Sequence, residues 1–189
     1  MPITKMQAAP DRIAALRAGY AAAFGTLPQR YFSAPGRTEI CGNHTDHQQG
    51  RVLAAAVDLD TIAAVGPNGL SEIRIQSQDY PLCRVPLEDL SPRASEYGTT
   101  LALVRGVAAR FQELGCALSG FDAYVTSQVL PGSGLSSSAA FEVLVGTIIN
   151  GLFFDGQATA PQIAQIAQCA ENVYFGKPCS CLLYTSRCV

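Results

Sequence analysis

The segment from Leu130 to Ala140, with the sequence LPGSGLSSSAA, constrains the fold of this chain more than any other. Small and flexible residues precede a cluster of hydroxyls, and an apolar pattern with helical spacing follows from Phe141 to Ile149. A loop that leads into a helix places backbone N–H groups and the positive end of the helix dipole at one point, where an anion is stabilised. The segment therefore predicts a phosphate-binding loop.

The residue types in this loop suit that chemistry. Gly132 and Gly134 can adopt positive φ and let a phosphate approach the backbone. Ser136, Ser137 and Ser138 can cap the helix and also offer hydroxyls to phosphate or to a divalent cation. The loop has neither the Gly-Lys-Ser/Thr ending of a Walker P-loop nor the glycine spacing of a dinucleotide fold. It therefore predicts a third kind of phosphate site.

Composition narrows the class of protein. The 189 residues suffice for one substantial domain or part of a larger one, and 15% are charged against about 25% in typical soluble proteins. The net charge of −2 and the absence of a basic run argue against nucleic acid as a partner. No segment approaches the roughly 20 apolar residues of a membrane span, and Met1–Pro10 lacks the apolar core of a signal peptide. Seven scattered cysteines indicate reduced thiols, so we expect a soluble cytoplasmic protein.

Periodicity predicts an α+β order, with most strands first and most helices later. Helices are expected over 11–24, 99–114, 141–149 and 161–174, and strands over 30–32, 72–76, 82–85 and 121–129. The apolar run over 52–65 is broken by Asp58 and Asp60, which predicts two strands with a tight connection. A turn is expected at Pro35-Gly36.

A second patch, APGRTEICGNHTDHQQG over residues 34–50, is dense in polar side chains. The cluster of His44, Asp46 and His47 is compatible with a metal site, since imidazole and carboxylate suit zinc or iron. The cluster is also compatible with a solvated turn that Asp46 caps, or with a sugar site in which polar side chains bond vicinal hydroxyls, and both fit better than a metal site. Arg37 is either a surface cation or a group that neutralises a transferring phosphoryl.

Together the two patches resemble the galactokinases of the GHMP kinase superfamily. The spacing G-R-x-E-I-x-G-x-H-T-D-H-x-x-G over 36–50 is similar to the galactokinase signature, and PGSGLSSSA over 131–139 is similar to the superfamily's phosphate loop. AENVYFGKPC over 170–179 resembles the stretch before the family's catalytic aspartate. The resemblance implies that residues 1–179 form an N-terminal lobe of the ribosomal protein S5 domain 2 type. This fold would be α+β, with a mixed sheet and helices on one face, and we expect the chain to lack the family's C-terminal lobe. It also implies that the full-length protein is a monomer.

The resemblance implies roles for individual residues. Arg37 would stabilise charge on the γ-phosphate, and Asn43, His44 and Asp46 would contact galactose. The family often has Glu at position 43 and Tyr at position 47, where this chain has Asn43 and His47, so the sugar preference is open. The residues of the loop would bind ATP, and Ser138 and Glu171 would hold Mg²⁺. For Glu171 the alternative is an ordinary carboxylate on a helix surface. The ATP-binding residues are Pro131, Gly132, Ser133, Gly134, Leu135, Ser136, Ser137 and Ser138.

The implied reaction transfers the γ-phosphoryl group of ATP to the C1 hydroxyl of galactose. The family's aspartate lies in a Gly-Leu-Met-Asp-Gln run, and Leu183 stands at its position here. The ending CLLYTS over 181–186 resembles a translated adapter from DNA library preparation, so we expect 180–189 to be a read-through tail and the chain to lack turnover. The alternative is a divergent natural C-terminus.

Other functions stay open at this stage. Asn43 is compatible with a kinase for another sugar such as N-acetylgalactosamine. A galactose-binding and ATP-binding regulator without catalysis is a further alternative, although the serine loop is intact. A metal-dependent hydrolase built on His44, Asp46 and His47 is the third.

Overall fold

The computed structural model describes residues 10–41 and 53–176. The chain forms four α-helices and five β-strands within these ranges. Short turns of 3₁₀ and π geometry cover Ala94–Glu96 and Ala170–Phe175. In chain order the elements are α1 (Pro10–Phe24), β1 (Arg30–Cys41), β2 (Leu53–Pro67), β3 (Glu72–Ser77), β4 (Cys83–Pro86), α2 (Thr100–Glu113), β5 (Phe121–Ser127), α3 (Ser137–Phe153) and α4 (Ala160–Cys169).

The strands form one mixed sheet in the order β1-β2-β5-β3-β4. Neighbouring strands are antiparallel except β3 and β5, which are parallel, with Arg74 opposite Asp122. The expected mixed sheet in an α+β fold is therefore confirmed. Because β3 and β5 run in the same direction, the segments that follow them leave the sheet at the same end.

Helices α2 and α3 cover one face of the sheet, as expected, and share the main core with Ala63, Val65, Ala123 and Val125 of the sheet. Helix α4 packs on α2 and α3 on the same side. Helix α1 is the exception, because it packs on the opposite face against Ile62 and Ala64. The physical reason is that β2 is apolar on both faces from Ile62 to Val65, so that a second layer must shield the outer side.

The prediction of two strands over 52–65 is wrong, because β2 is a single strand from Leu53 to Pro67. Asp60 is only 3% exposed and does not interrupt the strand. Its carboxylate accepts hydrogen bonds from Arg12 Nη1 at 2.8 Å and from Ser33 Oγ at 2.7 Å. A buried carboxylate with such partners costs far less than an unpaired one, so the extended backbone is retained.

The turn expected at Pro35-Gly36 is also absent, since β1 continues through both residues to Cys41. The pairing with β2 shifts between Pro35 and Arg37, which is a bulge within the strand. β1 is an edge strand, and a proline is tolerated at a bulge or an edge because its missing N–H removes no required ladder bond. The bulge lies beside Gly36 and Arg37, the two residues that meet the phosphate loop.

Candidate functional site

The loop between β5 and α3 has a backbone conformation that suits an anion. Gly132, Gly134 and Ser136 have φ of 78°, 77° and 58°, and they alternate with residues of negative φ. Alternation of this kind turns successive N–H groups toward one concavity, which is a common anion-binding arrangement. The glycines have positive φ, as the sequence predicts, and no atom lies within 4 Å of an added Cβ at either one.

The expected serine cap is not formed by the residue at the N-cap position. Ser136 is the N-cap of α3 and adopts the left-handed conformation, and its side chain makes no capping hydrogen bond. The first N–H groups of a helix have no partner within the helix, so an uncapped start leaves them for an external acceptor. The start of α3 therefore retains its capacity for an anion.

One serine of the loop has a structural role instead. The Ser133 hydroxyl donates to the carbonyl of Leu130 at 2.7 Å and lies 3.4 Å from the N–H of Leu135. These contacts hold the loop in its bent shape. We therefore expect Ser133 to contribute its backbone to phosphate binding more than its hydroxyl.

The loop contacts β1 directly, and this contact joins the two sequence patches. The N–H of Arg37 donates to the carbonyl of Leu135 at 3.1 Å. Gly36 is buried, and a Cβ there would lie 3.0 Å from a methyl group of Val129 and 3.2 Å from the Leu135 carbonyl oxygen. A glycine at position 36 thus allows the loop to approach the strand closely.

The side chain of Arg37 is placed beside this contact. Its Nε is buried, and within the described part of the chain it has no hydrogen-bond partner. A buried guanidinium nitrogen without a partner is costly, and an anionic ligand would satisfy it. This observation agrees with a phosphate-binding role and disfavours an ordinary surface arginine.

Ser138 and Glu171, the two residues expected to hold a divalent cation, are close in space. The Ser138 hydroxyl donates to Glu171 Oε1 at 3.3 Å. Glu171 is only 4% exposed, so the alternative of a carboxylate on a helix surface is wrong. It lies in the π-helical turn Ala170–Phe175, a geometry frequent at functional sites. A hydroxyl and one carboxylate are the hard oxygen ligands that Mg²⁺ uses together with substrate phosphates.

Several residues expected in the site lie outside the described ranges. These are the sugar-contact residues Asn43, His44 and Asp46, the variant position His47, and Leu183 with the rest of the tail 180–189. Their roles stay predictions. Within residues 10–41 and 53–176, no group of three His, Cys, Asp or Glu side chains is placed to hold a metal ion.

Sequence reasoning missed the residue that fixes the start of the loop. Ser127, at the end of β5, accepts from the N–H of Val129 at 3.0 Å and lies 2.7 Å from the hydroxyl of buried Thr61. A serine that bonds the backbone two residues ahead forms a local turn. The signal in the sequence was a serine at a strand end just before a glycine-rich loop.

Comparisons with known proteins agree with this geometry. Residues 18–67 match the family model described as the galactokinase galactose-binding signature, and residues 102–184 match that of the GHMP kinases N-terminal domain. The chain is 35% identical over 162 residues to a galactokinase of Lacticaseibacillus casei (strain BL23), which covers 84% of this chain and 41% of that protein. It is 37% identical over 157 residues to a galactokinase of Streptomyces coelicolor, covering 82% and 40%.

Solved structures give the same relationship. The chain superposes on the crystal structure of Lactococcus lactis galactokinase complexed with galactose with a TM-score of 0.83 and 27% identity. The match covers 90% of this chain and 45% of that one. The chain therefore spans less than half the length of these relatives. No helix in the described residues is both long and apolar enough to cross a membrane.

Proposed function

Because the chain belongs to the galactokinase family of GHMP kinases, we propose that it carries the ATP-binding and sugar-recognising part of an enzyme that phosphorylates galactose at its C1 hydroxyl. The observation that supports the proposal best is the contact between the loop 130–136 and β1 at Arg37. It brings a backbone anion site and a cation together, which is what phosphoryl transfer from ATP requires.

The loop binds the phosphates of ATP through its backbone. Pro131, Gly132, Ser133, Gly134 and Leu135 form the bend, and Ser136, Ser137 and Ser138 lead into α3. The N-terminus of α3 adds its dipole and its N–H groups. The Arg37 guanidinium, whose Nε lacks a partner among the described residues, neutralises the γ-phosphoryl group as it leaves ADP.

Mg²⁺ fits beside Ser138 and Glu171, which offer a hydroxyl and a carboxylate at one place. When bound, the ion would neutralise negative charge on the phosphates of ATP. The fold holds the side chains of Ser138 and Glu171 in place for the ion, and burial restricts the movement of Glu171.

Galactose recognition rests on Asn43, His44 and Asp46, which stay proposed contacts. An amide at position 43 both donates and accepts hydrogen bonds, so it can serve a sugar hydroxyl as a carboxylate does. The proton of the C1 hydroxyl has no acceptor at position 183, where the chain has leucine. We therefore expect the 189-residue chain to bind ATP without turnover, and a coupled ADP-release assay with galactose measures this.

We propose that the protein acts in the cytoplasm. Among the described residues, Cys41, Cys83, Cys116 and Cys169 are free thiols, which suits a reducing compartment. A monomeric full-length protein also stays a proposal.

ATP binding by calorimetry tests the proposal, with two arginines of β1 compared. Arg37→Ala is expected to weaken Mg-ATP binding about tenfold or more, since it removes a charge-assisted contact worth roughly 1.5–3 kcal/mol. Arg30→Ala is the matched control, because Arg30 lies at the start of β1, is exposed, and donates to the carbonyl of Gly151 in α3. Equal affinities for the two variants would contradict the proposed site.

A further inference from the structure

Arg105 is a buried cation that the proposed reaction does not use. Its side chain is 1% exposed, and it lies in α2. Nε and Nη2 donate to the two carboxylate oxygens of Glu96, each at 2.8 Å, and Nη1 donates to the carbonyl of Asp89 at 2.6 Å. A buried charge is tolerated when a partner of opposite charge and further hydrogen bonds compensate it, so this arrangement fixes the 3₁₀ turn Ala94–Glu96 against α2.

The residues that follow Glu96 touch the end of the π-helical turn. The N–H of Gly98 donates to the carbonyl of Phe175 at 3.0 Å. The ring of Tyr97 lies so close to Gly176 that a Cβ there would be 2.9 Å from it. The segment fixed by Arg105 therefore determines where the π-helical turn ends.

The start of the same turn packs against the neighbour of Arg105 in α2. A Cβ on Gly106 would lie 2.8 Å from both Cα and Cβ of Ala170. The turn is thus held at its first residue by α2 and after its last by the segment 97–98. Glu171 lies between these two supports.

We propose that Arg105 is a positioning residue that, through Glu96 and the segment 97–98, sets the location of Glu171 relative to Ser138 and hence the affinity of the site for a divalent cation. The metal part of this inference rests on the proposed function. Side chains that orient a metal ligand without touching the ion commonly change metal affinity by about 10-fold to 100-fold.

The test uses the whole chain and two readouts. Arg105→Lys keeps the charge but loses the planar fork that bonds both oxygens of Glu96. We expect backbone amides 171–176 to exchange with deuterium about tenfold faster in this variant, with exchange in α3 unchanged. The Mg²⁺ concentration for half-maximal ATP binding should rise about tenfold, while ATP affinity without Mg²⁺ stays within about twofold.

Two further variants keep the inference testable. Arg110→Lys is the control, because Arg110 lies on the same helix and pairs with Glu113 at an exposed position. Tyr97→Ala removes the contact with Gly176 at a residue that is 52% exposed, so the fold should tolerate it. This variant should speed deuterium exchange at amides 171–176 and raise the Mg²⁺ concentration for half-maximal ATP binding, even if Arg105→Lys does not fold.

The outcomes distinguish a failure of the positioning role of Arg105 from a failure of the proposed ATP-binding function. Unchanged exchange at 171–176 in Tyr97→Ala and Arg105→Lys overturns the inference, and so does faster exchange with an unchanged Mg²⁺ requirement. Failure of the unaltered chain to bind ATP at any Mg²⁺ concentration counts against the proposed function. In that event the exchange data alone decide whether Arg105 positions the turn.

Discussion

Replacing Gly106 with alanine should destabilise the protein by forcing α2 away from the π-helical turn. The new Cβ would lie 2.8 Å from Cα and Cβ of Ala170 and 2.9 Å from Cδ2 of Tyr174. Carbon atoms prefer separations of about 3.5–4.0 Å, so each contact is short by roughly 0.6 Å or more. The Ala170 Cα belongs to the backbone, and therefore no side-chain movement can relieve the overlap with it.

The magnitude follows from two opposing effects. Overpacking in a core costs about 1–3 kcal/mol, and alanine recovers about 1 kcal/mol over glycine within a helix. Because the overlap involves a backbone atom, we expect a cost in the upper part of this range, about 2–3 kcal/mol, and a net loss of about 1–2 kcal/mol in the free energy of unfolding. With a urea m-value of about 2 kcal/mol/M, the unfolding midpoint should fall by roughly 0.5–1 M.

Gly146→Ala provides the matched comparison in α3. The nearest neighbour of its added Cβ is the side-chain methyl Cγ2 of Ile163 at 2.9 Å, and the next is Phe111 Cε2 at 3.7 Å. Because a side chain can shift where a backbone cannot, this variant should lose less stability than Gly106→Ala. Urea unfolding followed by circular dichroism measures both, and a Gly106→Ala midpoint at or above that of the unaltered chain would refute the reasoning.

Two other predictions concern the loop and the thiols. Gly134→Ala places a side chain at φ of 77° in open space, so we expect little steric effect but a conformational cost of about 1–2 kcal/mol. The free loop of this variant should relax away from the strained φ, and ATP binding must then restore the bend, so calorimetry should show binding weakened about tenfold. Unchanged affinity would contradict the role of the bend. Burial raises the pKa of the Cys83 thiol to about 11, so iodoacetamide at pH 8 should modify exposed Cys41 well before Cys83. Because the pKa of Cys83 is raised in the folded state, its contribution to stability is fully present below the unfolded pKa near 8.5 and is lost as pH rises toward 11. Equal labelling of Cys41 and Cys83 by mass spectrometry would disprove the raised pKa of Cys83.

Local chemistry was predictable from the sequence, because it depends on neighbouring residues. The positive φ at Gly132 and Gly134 follows from the lack of a side chain, and the helix after the loop follows from its apolar spacing. The pairing of Ser138 with Glu171 came from the family resemblance, not from periodicity.

Long-range pairing was not predictable in this way. Asp60 was expected to break a strand because a carboxylate within an apolar run is costly when unpaired. Its partners Arg12 and Ser33 are distant in sequence, and only the fold brings them to it. The hydrogen bond from Arg37 to Leu135 could not be predicted from the sequence for the same reason, since these two residues are also far apart along the chain.

The central place of β5 in the sheet sets the order in which the chain can assemble during synthesis. β5 lies between β2 and β3, yet it begins at Phe121, well after β3 ends at Ser77. At about 5–20 residues per second, the ribosome needs roughly 2–9 s to make the intervening segment. During this interval β2 and β3 each carry an unpaired edge, the kind that invites association with other chains. The phosphate loop directly follows β5, so the site takes shape only after the sheet has closed.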